Sequence, residues 1–101
     1  MAYRVSIAAE AMREYEQTVA YLSNTLKSPK AAQGFADEFM RQVDSMRGNP
    51  KLHALSRMPE LAAKDYRPLL VNNYVALYKI DGDAVVIAHI FHQSQDYAKL
   101  V

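Results

Sequence analysis

The chain has 101 residues, half of them hydrophobic, with 12 Lys and Arg against 11 Asp and Glu and neither Cys nor Trp. That length fits one domain, 1–101, around a single small core, and the lack of Cys excludes disulfides, thiol catalysis and cysteine-ligated zinc while agreeing with a reducing compartment. No basic and apolar leader opens the chain and no window approaches the roughly 20 apolar residues of a membrane span, so a cytoplasmic protein without a membrane partner is expected.

Residues Ala2 to Ile7 alternate apolar Tyr3, Val5 and Ile7 with polar Arg4 and Ser6, the period of a half-buried strand. From Ala8 to Leu26, Met12, Tyr15, Val19, Leu22 and Leu26 recur at spacings of three and four, which predicts an amphipathic helix. Ser28 caps a second helix with Pro29 at its first position, a stripe of Ala32, Phe35, Ala36, Phe39, Val43 and Met46, and Gly48 just past its end. The short link at Lys27 makes the two helices an antiparallel hairpin. Residues 48–62, with Gly48, Pro50 and Pro59, hold neither period and read as a loop with a helical turn near Leu52 to Leu55. Three strands follow, Ala63–Val71, Tyr74–Ile80 and Ala84–His92, joined at Asn72-Asn73 and Asp81-Gly82-Asp83. Pro68 lacks a ladder donor, so its strand bears a bulge or lies where that amide would be unpaired. Ser94 to Leu100 form a short helix capped by Ser94. The expected fold is α+β, β-α-α-β-β-β with a short C-terminal helix, the hairpin packed on a small antiparallel sheet.

Charge and hydropathy add two features. Residues 47–79 hold Arg47, Lys51, Arg57, Lys64, Arg67 and Lys79 against Glu60 and Asp65, a surplus that suits an anionic partner or a solvated surface equally. On the last strand, Val86, Ala88 and Ile90 fall on one face and Val85, Ile87 and Phe91 on the other, yet one hairpin covers only one face. The second face is left to the C-terminal turn with Tyr97, the loop at 48–62, or a partner chain.

Chemical constellations are few. His89 and His92 leave opposite faces of a strand and His53 lies in a loop, so no metal site is expected. The three glycines stand apart, which leaves no phosphate-cradling loop and no nucleotide cofactor. His92, Ser94 and Asp96 have the residue types of a nucleophilic triad, but their spacing does not require convergence and Ser94 and Asp96 suit a helix start. His89 reads as a packed histidine with a satisfied ring nitrogen, and His92 as the one histidine placed for chemistry.

Tyr3-Arg4-Val5 ahead of a helix with Ala11 and Tyr15, Ala31-Ala32…Phe35…Phe39 in the second helix, Tyr66-Arg67…Val71-Asn72-Asn73-Tyr74…Leu77-Tyr78-Lys79-Ile80-Asp81-Gly82-Asp83, and Ile90-Phe91-His92-Gln93-Ser94-Gln95-Asp96-Tyr97 together resemble the RelE/ParE superfamily of bacterial toxins across nearly the whole chain. The resemblance implies the toxin of a type II toxin-antitoxin system, active in growth arrest and plasmid stabilization. Its partner would be a cognate antitoxin whose flexible segment wraps the toxin and whose folded part binds operator DNA, so that the toxin reaches DNA only indirectly. One branch of the superfamily cleaves messenger RNA on the ribosome, which needs a proton-transfer group and cations at the scissile phosphate. By position, Arg67 and Lys64 would hold phosphate there and His92 and Tyr97 would move protons. Val75 and Gln95 stand where that branch often carries arginine. The other branch inhibits DNA gyrase by binding, and it is the expected one. Its inhibitory surface is expected on the exposed sides of the hairpin, such as Arg13, Glu16 and Gln17, and along Tyr97 to Val101. A third reading is an inactive toxin that serves as co-repressor with its antitoxin.

Overall fold

A computed structural model of the chain describes residues 3–101, the side chain of Leu52 excepted. Ala2, where the sequence predicts the first strand to begin, lies outside the described residues. The order is β1 (Arg4–Ile7), α1 (Ala9–Ala20), a π-helical turn (Tyr21–Thr25), α2 (Pro29–Gly48), a 3-10 turn (Pro50–Leu52), α3 (Pro59–Ala62), β2 (Arg67–Val71), β3 (Tyr74–Asp81), β4 (Ala84–His92) and a 3-10 turn (Tyr97–Lys99). The sheet runs β1-β4-β3-β2. The last three strands form the expected antiparallel meander, whereas β1 lies parallel to β4, with Val5 opposite Val85 and Ile7 opposite Ile87. The helical hairpin is the reason. α1 carries the chain onward past the end of β1 and α2 returns it to where β1 began, so that the Tyr3 N–H donates to the Arg47 carbonyl at 3.1 Å. The chain therefore enters β2 from the same end as β1, and two reversals leave β4 parallel to both.

α2 starts as its sequence predicts, with the Ser28 hydroxyl accepting from the Ala31 N–H at 3.1 Å and Pro29 at the first position. α1 is shorter than its apolar spacing predicts. After Ala20 the turn widens, the Leu26 N–H donating to the Tyr21 carbonyl at 3.0 Å, and Lys27 closes the helix at φ 51°. Thr18 and Ser23 bond the carbonyls of Glu14 and Val19 through their hydroxyls, competing for backbone acceptors where the helix changes pitch. The wider turn rotates Leu26 off the stripe. Leu26 and Met12, both expected in the core, are exposed, and the buried stripe runs through Ala11, Tyr15, Val19 and Leu22. Tyr15 packs between Phe35 and Phe39, at centroid distances of 5.4 and 5.0 Å, and Phe35 meets Tyr74 of the sheet at 5.1 Å.

Two apolar clusters form, one on each face of the sheet. The hairpin buries Leu69, Val71, Ala76, Tyr78, Val85, Ile87 and Ile90. On the other face Leu61, Tyr66, Val75, Leu77 and Phe91 gather Met58, Tyr97, Ala98 and Val101. α3, which lies within the stretch 48–62, and the C-terminal turn with Tyr97 thus supply much of the cover from within the chain, two of the three sources the sequence offered for this face. A bulge at Leu77/Tyr78, which pair with His89 and Ile87, shifts the alternation of β4 by one. Ile90 consequently joins Val85 and Ile87, and Ala88 joins Phe91, not the face assignment that strict alternation predicts.

The remaining departures are local. β2 begins at Arg67, four residues later than expected, because Leu61 and Ala62 are helical and Asp65, at φ 63°, ends that turn with the Tyr66 N–H donating to the Leu61 carbonyl at 3.0 Å. The turn expected near Leu52 to Leu55 lies at Pro50–Leu52 instead. β2 is an edge strand, which accommodates Pro68. Ser94 caps nothing, and the C-terminal turn starts only at Tyr97, with Asp96 making no side-chain cap. Among the described residues no helix is long and apolar enough to cross a membrane.

Tyr78 joins the pieces at one end of the sheet. It is fully buried, and its hydroxyl donates to the Pro50 carbonyl at 2.6 Å. Burial pushes its phenol up to about 12 from 10. The folded chain holds this proton more tightly than the unfolded chain, so the stabilisation is complete below pH 10 and is lost as the pH rises towards 12. Tyr78→Phe leaves the Pro50 carbonyl unpaired and should cost about 1–2 kcal/mol in urea melts at pH 8. The same variant should lose less stability than the natural chain between pH 9 and about pH 11.

Candidate functional site

β1 has four residues and β4 has nine, so the last part of the β4 edge has no strand beside it. Side chains take that place. The Glu14 carboxylate, reaching from α1, accepts from the Ile90 N–H at 2.9 Å, and the Gln95 side-chain oxygen accepts from the His92 N–H at 2.8 Å. Both stand in for the carbonyls of a missing strand. The His89 ring stacks on Phe91 at 5.4 Å, but its Nδ1 is buried without a hydrogen bond, 3.5 Å from Glu14 Oε1. Nδ1 is therefore not the satisfied ring nitrogen that the sequence leads one to expect.

His92 sits at the same end of β4. Its Nδ1 receives the Ser94 N–H at 3.1 Å and lies 2.7 Å from the Ser94 hydroxyl. A backbone N–H only donates, so Nδ1 accepts and the neutral ring carries its proton on Nε2. Two of the three triad-like residues therefore meet, and the full triad, whose convergence the spacing does not require, does not form. Asp96 stays apart, paired with Lys99 at 3.3 Å, and does not orient the imidazole. Tyr74 meets the His92 ring edge-on at 5.0 Å, and burial, with Tyr21 beside it, raises its phenol above the ordinary tyrosine value.

Two openings flank this end. A cleft of about 530 Å³ lies between the π-helical turn and the sheet, walled by Tyr21, Leu26, Asn73, Tyr74, His92 and Gln95, and a smaller one of about 220 Å³ continues along α1 past Gln17 and Thr18. No Lys or Arg lines either. On the second face of the sheet a groove of about 480 Å³ runs between the loop at 53–58, Pro68 and Leu70 of β2, Val75 and Tyr97, with Leu70 57% exposed.

The four side chains named for phosphodiester cleavage do not meet in this conformation. Arg67 pairs with Tyr78 in the β2–β3 ladder and His92 with Tyr74 in the β3–β4 ladder, which sets them about 13 Å apart along β3 alone. The Arg67 guanidinium donates to the His53 carbonyl. Lys64 donates to the Val101 carbonyl at 3.0 Å, and the Tyr97 ring lies 6.0 Å from that of Phe91 on the second face. On the hairpin, Arg13 pairs with Glu10 while Glu16 and Gln17 are exposed. Sequence reasoning missed Glu14, a carboxylate that lies off the apolar stripe of the predicted first helix.

A helical hairpin laid on one face of a mostly antiparallel sheet, with α3 and a short C-terminal turn on the other face, defines an α+β domain. The chain belongs to the ParE toxin family, described as "ParE toxin of type II toxin-antitoxin system, parDE", whose sequence model matches residues 5–97. Among solved structures, a chain of the chromosomal ParDE system of P. aeruginosa is similar with a TM-score of 0.71 and 16% identity, over 90% of this chain and 96% of that one. A chain of the RelBE2 toxin-antitoxin complex of Mycobacterium tuberculosis is similar with a TM-score of 0.60 and 19% identity, over 91% and 99%. No curated protein matches by sequence.

Glu14→Ala should strip the acceptor from the Ile90 amide and cost about 1–3 kcal/mol in urea denaturation. Glu14→Gln keeps an acceptor and should recover part of that loss. Hydrogen exchange should speed up at the Ile90 amide in the alanine variant and much less in the glutamine variant.

Proposed function

We propose that this toxin arrests growth by binding DNA gyrase in the cytoplasm and not by cutting messenger RNA. The observation that carries this reading is the separation of Arg67 from His92. Cleavage by an attacking ribose hydroxyl requires a proton-transfer group and phosphate-binding cations within hydrogen-bond reach of one phosphate. Here the histidine end of the sheet has no cation lining its clefts, Arg67 and Lys64 are engaged with backbone carbonyls elsewhere, and Val75 is buried in the second cluster. A binding mechanism asks only for a stable, complementary surface.

The toxin-antitoxin systems to which the two structural neighbours belong support a cognate antitoxin as the partner of this chain too; operator DNA would be reached only through that antitoxin. The groove beside Leu70 is where an antitoxin segment would cover apolar surface that α3 and Tyr97 leave open, and such cover would stabilise a domain this small by mass action.

Stoichiometry tests the reading. In a supercoiling assay, purified toxin should inhibit in proportion to the gyrase present, and in translating ribosomes it should leave messages intact. Lys64→Ala and Arg67→Ala should inhibit supercoiling as the natural chain does, whereas a nuclease would lose about a hundredfold or more with each. Message cleavage by trace toxin, with supercoiling untouched at molar excess, overturns the proposal in favour of a ribosome-dependent endonuclease. A chain inert in both assays that still tightens its antitoxin on operator DNA would be a co-repressor.

A further inference from the structure

The π-helical turn at Tyr21–Thr25 interrupts the regular hydrogen bonding of the hairpin, and although it keeps Leu22 in the core it takes the next leucine of the stripe out of it. Had α1 continued at its own pitch, Leu26 would follow Leu22 by four residues onto the buried stripe. Instead Leu22 stays buried, Leu26 is 53% exposed, and Tyr21 is 47% exposed. Both form one wall of the cleft of about 530 Å³ whose opposite wall is Asn73, Tyr74 and His92. Widened helical turns of this kind are frequent at functional sites. The cleft itself has no charged side chain in its walls, and the smaller opening past Gln17 and Thr18 extends it along α1 with Phe91, a further side-chain amide and one carboxylate. Its one acidic neighbour, Glu14, is held by the Ile90 amide.

We propose that this cleft at the tip of the helical hairpin is the surface by which the toxin grips its protein target, taking an uncharged, apolar-tipped segment of that protein between Tyr21 and Leu26 on one side and Tyr74 and His92 on the other. The proposal rests on the reading of the toxin as one that acts by binding. It adds the place and the chemistry of the contact, which moves the surface from the hairpin's flank and from Tyr97 to the hairpin's end. A phosphate backbone would call for cations in the walls, and there are none, although Lys27 and Lys30 stand beside the tip in the sequence. A protein segment with an apolar anchor gains from burying an exposed tyrosine and leucine at the centre of the contact, where interface energy concentrates.

Leu26→Lys and Tyr21→Ala test the inference, since both residues are exposed and neither holds the core. Each purified variant is compared with the natural chain and with Asp44→Ala, an exposed change at the far end of α2, by thermal melting, antitoxin binding, gyrase supercoiling and growth after induction. Melting and antitoxin binding should stay unchanged, while the toxin concentration for half-inhibition of gyrase should rise about tenfold or more for Leu26→Lys and less for Tyr21→Ala. Inhibition at the natural concentration by both variants overturns the tip as the contact. If the natural chain itself spares gyrase, the gyrase reading falls and growth decides the tip: loss of arrest by folded, antitoxin-binding variants supports a tip contact with a different protein, and full arrest removes it. Salt-sensitive binding of free duplex DNA or RNA that Leu26→Lys strengthens overturns it as well, because the contact would then be to phosphate.

Discussion

The burial of β3 and β4 on both faces is the constraint around which the molecule is arranged. One helical hairpin covers one face of such a sheet, so the chain has to leave the hairpin side after α2, round the end of the sheet, and lay α3 against the other side before it can begin β2. The crossing is pinned by a few polar contacts. The Tyr78 hydroxyl holds Pro50, the Arg67 guanidinium holds His53, and the His53 ring stands edge-on to Tyr78 at 6.2 Å. A phenol buried in a hydrophobic sheet is stable only with an acceptor, so the carbonyl it finds fixes where the loop must pass. From there Leu61 and Met58 reach the second cluster, and Tyr97 completes it from the C-terminal side.

Elements in which one period dominates were legible in the sequence. The alternation of β1, the stripe and caps of α2, and the two-residue turns opening on Asn72 and Gly82, at φ 55° and 61°, follow from local chemistry that packing does not contradict. What was not legible came from competition between local and distant demands. α1 has a good apolar spacing as far as Leu26, but the hydroxyls of Thr18 and Ser23 and the turn at Lys27 end its regular pitch first. The bulge at Leu77/Tyr78 cannot be read from strand residues that are apolar on both faces, because either register buries them equally well. Ala63 to Tyr66 have strand-like composition, yet a helical turn at Pro59 with Asp65 in the left-handed region prevails.

The candidate site was half visible. His92 stood out by type and position, and the structure sets it at an open cleft with its neutral tautomer fixed by Ser94. Glu14 did not stand out, although a signal existed in the lengths. A first strand of about six residues facing a last strand of nine leaves edge amides that need acceptors, and the helix that follows the first strand is the nearest element able to supply one. The four residues assigned to nuclease chemistry came from likeness of position, which says nothing of convergence; the pairing register, Arg67 to Tyr78 and His92 to Tyr74, is what sets the guanidinium apart from the imidazole.

Ion pairing divides the surface in the same way. Of the six cations outside residues 47–79, Arg4, Arg13, Arg41 and Lys99 pair with carboxylates, and the hydrogen bonds of Arg41 to Glu38 and of Arg4 to Asp83 hold those acids below their ordinary range. Within 47–79 none of the six cations forms an ion pair among the described residues, and Lys64 and Arg67 satisfy themselves on backbone carbonyls that carry no net charge. The surplus of positive charge in this segment is therefore not cancelled locally, and Arg57 brings it to the rim of the groove beside Leu70. A partner that carries acidic residues would be drawn to that groove faster at low salt than at high salt. A partner held at the hairpin tip meets uncharged walls, so its affinity would come from buried aromatic and leucine surface and would change little with ionic strength. The two clefts thus differ in the kind of force they offer, and salt dependence separates what binds at one from what binds at the other.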